Sequence, residues 1–321
     1  MSKWLFIIAA FWAFPFTGAL AASAPSTSSS GPTVSQLIDK AADLVRANKY
    51  KEALKVSDQA VALDPKSARA IVQRGDIKDD LGDHQGAIID YNAGIALNPD
   101  YEYAYETKCG TELDLDRNDD AIQDCTKAIS LDKTDQDAFN YRGRARYFND
   151  DDQAALDDFN AAIALDNTVA KSYAYRCDDL RDMQRYDEAL ADCNRAIALD
   201  PGYSFALYTR GRTYDYAGKT DLAIADLQAY LVRAPDDEYG KLWLGRAQYH
   251  HGDYSLALPN VSAYLAQHSD SQFAYLLRAQ IEVKLGKTTD ARTDATQALR
   301  YAHINNDDED AKDAQALLTS L

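Results

Sequence analysis

The chain has 321 residues, of which 46% are hydrophobic and 26% are charged, with only 15 Gly and 8 Pro. This composition excludes collagen-like and low-complexity chains and supplies enough apolar residues for a core. Acidic residues outnumber basic ones by 51 to 34, which gives a formal net charge of −17. Because nucleic-acid binding needs clustered basic residues to neutralise phosphates, we expect no nucleic-acid partner.

The N-terminal segment has the three parts of a secretory signal peptide. Lys3 precedes a 13-residue apolar run over residues 4–16, and small residues lead to Ala-Leu-Ala at 19–21. A membrane anchor is the alternative, but it needs about 20 apolar residues, and Pro15 interrupts this shorter run. We predict a signal peptide over 1–21, a flexible Ser-rich tether over 22–33, and no membrane span after signal cleavage.

From Val34 onward, a period of 34 residues divides the chain into eight units without insertion. The units span 34–67, 68–101, 102–135, 136–169, 170–203, 204–237, 238–271 and 272–305. If positions within a unit are called columns, column 20 is Ala in all eight units, while column 15 is Gly in four and column 32 is Pro in four. Gly suits a tight turn and Pro cannot continue a helix, so each unit predicts two helices separated by turns. Residues 306–321 predict a C-terminal capping helix with one apolar stripe.

This pattern resembles the tetratricopeptide repeat (TPR) family over residues 34–305. Column 4 is usually large, column 8 is small, and column 17 is Tyr in three units. The resemblance implies an all-α fold, a right-handed α-solenoid of eight TPR helix pairs plus the C-terminal capping helix. It also implies that the first helices of the units line a concave groove. Because a single pair cannot bury its apolar face alone, stacking of the units supplies the core.

All four cysteines lie in columns 8 and 24, which vary together between the units. Gly in column 8 is paired mostly with a large residue in column 24, Ala with a small one, and Cys with Cys. Such matching is typical of side chains in contact, since overfilling and voids both destabilise a core. In an exported protein it predicts two disulfides, although buried free thiols remain an alternative. The predicted pairs are Cys109–Cys125 and Cys177–Cys193. A four-Cys metal site does not fit, because the pairs lie two units apart without a C-x-x-C spacing.

Columns 7 and 23 also vary together, with a cation paired with Asp in six units. The unit that has Leu244 in column 7 has Asn260 in place of the Asp. An arginine ladder for an anionic ligand is one interpretation, but an ion pair between the two helices of a unit explains why both residues change together. We favour this structural interpretation. The arginine pairs are Arg74–Asp90, Arg142–Asp158, Arg176–Asp192, Arg210–Asp226 and Arg278–Asp294.

The sequence contains no motif that indicates catalysis or metal binding. The Asp-rich stretch at 114–120 lacks the sixth-position Gly and twelfth-position Glu of a calcium loop. There is no Gly-rich phosphate loop, no serine nucleophile elbow and no H-E-x-x-H. We therefore expect no enzyme activity, no cofactor and no metal.

The family resemblance places the groove-lining residues in columns 2, 5, 9, 12 and 13 of the first helices. These columns are acidic in units one to three, and aromatic and basic in units six to eight. Aromatic residues and Arg are the most frequent binding hot spots, so we predict the ligand groove in units six to eight. The alternative is that several of these rings pack between neighbouring units. The predicted groove residues are Phe205, Tyr208, Arg212, Tyr216, Tyr239, Arg246, Tyr249 and Phe273.

Together these features predict a non-catalytic protein–protein interaction scaffold in the cell envelope. We expect it to be periplasmic or secreted in a Gram-negative bacterium and to hold a protein or an extended peptide in its groove. The alternative function is an adaptor or chaperone-like subunit for the assembly of an envelope polysaccharide or secretion complex.

Overall fold

The computed structural model describes residues 31–321, so the predicted signal peptide and most of the predicted tether lie outside the described residues. Over this range the chain forms 17 α-helices and no β-strand. The helices are α1 Val34–Arg46, α2 Tyr50–Leu63, α3 Ala68–Asp80, α4 His84–Leu97, α5 Glu102–Asp114, α6 Asn118–Leu131, α7 Gln136–Phe148, α8 Asp152–Leu165, α9 Ala170–Asp182, α10 Tyr186–Leu199, α11 Ser204–Tyr216, α12 Thr220–Arg233, α13 Glu238–His251, α14 Tyr254–Leu265, α15 Gln272–Lys284, α16 Thr288–Asn305 and α17 Asp308–Ser320.

The boundaries of these helices follow from residues that recur in each unit. Five first helices have a capping side chain that accepts a backbone N–H of the first turn, from Thr33, Ser67, Asp135, Asp237 and Ser271. Column 15, in the turn after each first helix, has a φ between 56° and 99° in all eight units. Gly occupies four of these positions, and Asn or Asp, which tolerate this conformation better than other side chains, occupies three. The eighth is Gln184, a residue type that rarely adopts it.

The helices pack as stacked pairs. The two helices of a unit contact each other, and the second helix of each unit contacts the first helix of the next. Successive first helices also touch, and α17 packs against α15 and α16. The prediction of an all-α solenoid of eight helix pairs with a C-terminal capping helix is therefore confirmed. The column 20 alanines lie at the centre of the units, and each of them is fully buried.

The contact between the two helices of a unit passes through columns 8 and 24, as predicted. Cys109 and Cys125 are joined by a 2.02 Å Sγ–Sγ bond, and Cys177 and Cys193 by a 2.08 Å bond. All four cysteines are fully buried. A Cβ atom on Gly143 would lie 2.6 Å from the Phe159 ring, so only glycine fits opposite this side chain.

Within residues 31–321, no helix has the length and apolar character required to cross a bilayer.

Candidate functional site

The five predicted arginine–aspartate pairs lie between the two helices of their units. In each pair the guanidinium donates from Nε and Nη2 to both carboxylate oxygens, at 2.5–2.9 Å. The five aspartates are 2–8% exposed. In unit three, Lys108 Nζ lies 2.7 Å from Asp124 in the same arrangement. Because these cations are engaged inside their units, the geometry favours ion pairs that hold the helices together over a ladder that faces a ligand.

Column 11 adds a second cation to two of these pairs, a contact that the sequence analysis missed. Arg146 Nη1 lies 2.8 Å from Asp158, and Lys78 Nζ lies 2.7 Å from Asp90. In unit seven the same place holds Gln248, whose side-chain oxygen accepts a 2.8 Å hydrogen bond from Asn260. Columns 7 and 11 are four residues apart and lie on the same face of the first helix, so their side chains can reach the same column 23 residue. This spacing could have indicated the contact.

Residues that lie mainly on the first helices line two cavities, which share Arg144. The first, which we call the aromatic cavity, has a volume of about 410 Å³ and lies across units four to seven. It is lined by Arg144, Tyr147, Phe148, Phe159, Tyr175, Asp178, Phe205, Tyr208, Arg212 and Tyr239. The second, which we call the acidic cavity, has a volume of about 630 Å³ and lies across units one to four. Its charged and tyrosine side chains are Arg46, Asp76, Asp79, Asp80, Tyr91, Tyr103, Glu106, Asp114, Tyr141 and Arg144.

Four of the eight predicted groove residues meet in the aromatic cavity: Phe205, Tyr208, Arg212 and Tyr239. Tyr216 and Arg246 lie beside it, both in contact with Trp243, which the sequence analysis missed. Tyr249 and Phe273 instead pack against the core of the C-terminal units. The predicted site is thus divided between a cavity and interior packing, and the cavity extends further toward the N-terminus than predicted.

Arg212 and Arg246 offer less positive charge to a ligand than the sequence predicts. Arg212 lies 3.3 Å from Asp178, and Arg246 lies 2.6 Å from Asp215, whose side chain is fully buried. Each arginine is paired with an aspartate of the preceding unit, a contact that comparison of columns within one unit does not show. Their charges are therefore compensated within the protein.

Arg144 is the cation of the aromatic cavity that has no acidic partner. Its guanidinium lies over the rings of Tyr175 and Phe148, with centroid distances of 4.8 Å and 5.3 Å. Among the described residues, no carboxylate approaches its nitrogens within 4.0 Å. Phe148 and Tyr239 are 48% and 50% exposed at the same cavity. Arg144 and accessible rings are therefore available to a ligand together.

Two lining residues of the aromatic cavity, Asp178 and Arg212, belong to an ion-pair network. The Arg181 side chain is fully buried and contacts Asp178 and Asp182. Burial alone would raise the pKa of Asp178, but Arg181 and Arg212 outweigh it and hold this pKa below its usual value. A charged Asp178 with two guanidinium partners fixes the orientation of Arg212 at the cavity wall.

The acidic cavity contains carboxyl groups without a cationic partner. Burial raises the pKa of Asp76 to about 7. Burial, followed by the charges of Asp135 and Asp137, raises the pKa of Glu106 to about 8. Within residues 31–321, neither group has a cation within 4.0 Å. Both carboxyl groups are thus held close to their titration range, because the two arginines that line this cavity, Arg46 and Arg144, do not form an ion pair with either of them.

Three possible metal ligands lie at the rim of this cavity. The ligand atoms of Asp79, His84 and Asp114 lie within 4.8 Å of one another. His84 Nδ1 is engaged in a 2.8 Å contact with Asp79, and Asp114 is exposed. We assign no metal to this group.

We expect the protein to be more stable in mild acid than in mild alkali. Like Asp76 and Glu106, two further carboxyl groups have a raised pKa. Burial, followed by the charge of a neighbouring Asp, raises the pKa of Glu112 to about 8 and that of Glu282 to about 7. In the unfolded chain such groups lose their protons near pH 4, so folding takes up protons between about pH 4 and pH 8. The free energy of unfolding should therefore fall as the pH rises from about 5.5 to about 8.5, by at least about 1 kcal/mol.

Urea unfolding at these two pH values, followed by circular dichroism, measures this difference. A variant with Asp76→Asn and Glu106→Gln removes two of the titrating groups and should show a smaller difference. A wild-type protein that is equally stable or more stable at the higher pH would contradict the prediction.

Two segments of the chain, residues 38–102 and 208–272, match a family model described as tetratricopeptide repeat. Solved structures give the same result for the fold. A tetratricopeptide repeat protein from Parabacteroides merdae is 17% identical with a TM-score of 0.61, over 77% of this chain and 98% of that one. The structure of the APC/C hetero-tetramer Cut9-Hcn1 is 14% identical with a TM-score of 0.73, over 88% of this chain and 55% of that one.

PilW, described as a widely conserved type IV pilus biogenesis factor, is 18% identical with a TM-score of 0.57. The similarity covers 66% of this chain and 96% of PilW. A search of curated proteins found no significant match. At these identities the structural similarities concern the fold.

Proposed function

Because this chain belongs to the tetratricopeptide repeat family, we propose that it is a non-catalytic scaffold that binds an extended segment of a partner protein in its groove. Repeat arrays of this kind present long concave surfaces, which suit an extended chain. The aromatic cavity is the anchor site of this proposal.

The observation that carries the proposal is the combination of the exposed rings of Phe148 and Tyr239 with Arg144, a cation that has no acidic partner within residues 31–321. Tyr175, Phe205 and Tyr208 form a continuous chain of rings, with centroids 5.8 Å and 6.1 Å apart. Clustered aromatic side chains in a partly desolvated pocket are typical binding hot spots. Arg144 stands beside them and can bind a carboxylate. The matching partner is therefore a segment in which an acidic residue lies next to an apolar or aromatic one.

The cell envelope is the proposed location. Its support is the signal-like sequence at residues 1–21 and the two disulfides, since disulfides persist in oxidising compartments such as the bacterial periplasm.

Selection of peptides from a random phage-displayed library on the mature protein tests the proposal. We expect the enriched peptides to combine an acidic and an aromatic or large apolar residue. Tyr239→Ala and Arg144→Glu should each weaken these peptides by about tenfold in calorimetric titrations, because each change removes one half of the recognition.

Leu222→Ala and Arg292→Glu are the matched controls. Both residues are exposed and lie on second helices, outside the aromatic cavity. Leu222→Ala truncates a large apolar side chain, as Tyr239→Ala does, and Arg292→Glu reverses a positive charge, as Arg144→Glu does. Their affinities should stay within twofold of the wild type. Selected peptides that bind the two cavity variants as tightly as the wild type would overturn the proposed site.

A further inference from the structure

We infer that the acidic cavity is a binding site for an arginine side chain of the partner segment. The inference rests on the proposed function, since both place a protein segment in the groove, and it names a second feature of that segment. Two places in the protein that lie three units apart, around Asp178 and around Asp76, support it.

In unit five the protein binds a guanidinium of its own. Asp178 in column 9 contacts Arg212, which occupies column 9 of the next unit. The Trp243 ring lies against this guanidinium with its centroid 4.4 Å away, and the Tyr208 ring lies 5.3 Å away. An arginine in this arrangement has a carboxylate on one side and an aromatic face on another.

Three units earlier the same arrangement lacks its arginine. Asp76 occupies the place of Asp178, and Tyr141 occupies the place of Trp243. Gly110 occupies the place of Arg212, and a Cβ atom on it would lie 3.4 Å from the Tyr141 ring. All three residues line the acidic cavity. The space that a guanidinium fills in unit six is therefore part of an open cavity in unit three.

The surroundings of this space are also more acidic than those of Arg212. Glu106 replaces Tyr208, and Asp79 replaces Arg181, which is the second cation that Asp178 contacts. Among the described residues, Asp76 has two tyrosine hydroxyls as hydrogen-bond donors, Tyr103 at 3.1 Å and Tyr91, and no cation within 4.0 Å. Asp178 is therefore paired within the protein, whereas Asp76 can accept a cation from a partner. Because the cavity at Asp76 corresponds to the site of the Arg212 guanidinium, a guanidinium is the cation that fits it.

The probe that tests this site is the peptide acetyl-Ala-Ala-Arg-Ala-Ala-amide, with citrulline in place of Arg as its uncharged control. Citrulline has nearly the same shape as arginine, so it separates charge from size. We expect saturable NMR shifts in the amides of α3, α5 and α7 with the arginine peptide and at least tenfold weaker binding of the citrulline peptide. Equal binding of the two peptides, or shifts that lie elsewhere in the chain, would overturn the inference.

Paired neutralisations separate the cavity from the overall negative charge. Asp76→Asn with Glu106→Gln should weaken the arginine peptide at least tenfold. Asp187→Asn with Glu52→Gln changes the same residue types at exposed positions on second helices and should alter binding by less than twofold. Equal losses in both variants would mean that the peptide responds to bulk charge alone and would overturn the inference.

Gly110→Arg provides a test that can be measured by thermal stability as well as by binding of the peptide. The new side chain starts where Arg212 starts three units later, so it should fill the cavity and abolish binding of the arginine peptide, while Gly110→Gln should block it less. Gly110→Arg should also raise the melting temperature more than Gly110→Gln, and the reverse order would contradict the site. Tyr239→Ala should leave the arginine peptide unaffected, so failure of this inference and failure of the aromatic anchor are seen separately.

Discussion

Replacing Asp158 by alanine is expected to lower the free energy of unfolding by about 3–5 kcal/mol, because it leaves partly buried cations without their counter-charge. Asp158 is 3% exposed and accepts hydrogen bonds from both Arg142 and Arg146. The side chains of the two arginines are 13% and 24% exposed. Neither guanidinium can therefore recover full hydration when the carboxylate is removed.

The control for Asp158→Ala comes from unit seven of the same chain. There Leu244, Gln248 and Asn260 occupy the places of Arg142, Arg146 and Asp158, with a 2.8 Å hydrogen bond between the two amides. The triple variant Arg142→Leu, Arg146→Gln and Asp158→Asn should recover most of the lost stability, because it replaces the ionic set with a neutral, hydrogen-bonded one.

Urea unfolding followed by circular dichroism compares Asp158→Ala, the triple variant and the wild type. Hydrogen exchange in α7 and α8 adds a local measure, since a repeat array can unfold in parts. A triple variant no more stable than Asp158→Ala would show that the network does not act as a unit.

The sequence predicts the fold because the chain contains its own alignment. Eight units in one register show which columns are invariant, as column 20 is, and which change together. The cysteine pairs and the arginine–aspartate pairs are contacts within a unit at a fixed spacing. The same contact can therefore be compared in all eight units. Column 11 escaped notice because it holds a cation, a carboxyl, an amide or an apolar side chain in different units.

The groove was predicted less well, because its contacts run between units. Asp178 pairs with Arg212 and Asp215 pairs with Arg246, so two of the expected ligand-facing cations are neutralised by the unit before them. Arg144 was overlooked because it lies in unit four, and the groove columns were compared only between units one to three and units six to eight. Reading column 9 along successive units would have shown both the Asp178–Arg212 contact and its incomplete counterpart at Asp76 and Gly110.

Removing one disulfide is expected to lower the free energy of unfolding by about 3 kcal/mol, because each bridge closes a loop of about 16 residues in the unfolded chain. The variant Cys109→Ala with Cys125→Ala removes the bridge of unit three. Unit eight has Ala279 and Ala295 in these same two columns, both fully buried, so a pair of alanines is compatible with this helix contact. The loss should lie mainly in α5, α6 and the helices that touch them, since contacts in the array are between neighbours.

Wild-type protein with both bridges reduced separates the cross-link from the change in side-chain volume. Reduction keeps all four sulfur atoms and removes only the covalent bonds, so it should lower stability by about 6 kcal/mol if the two loops act independently. Reductant should also lower the stability of the Cys109→Ala, Cys125→Ala variant, by about the contribution of the remaining Cys177–Cys193 bridge. If the reduced wild type unfolds at the same urea concentration as the oxidised protein, the bridges do not stabilise the array, and helix packing around the buried cysteines suffices to hold units three and five.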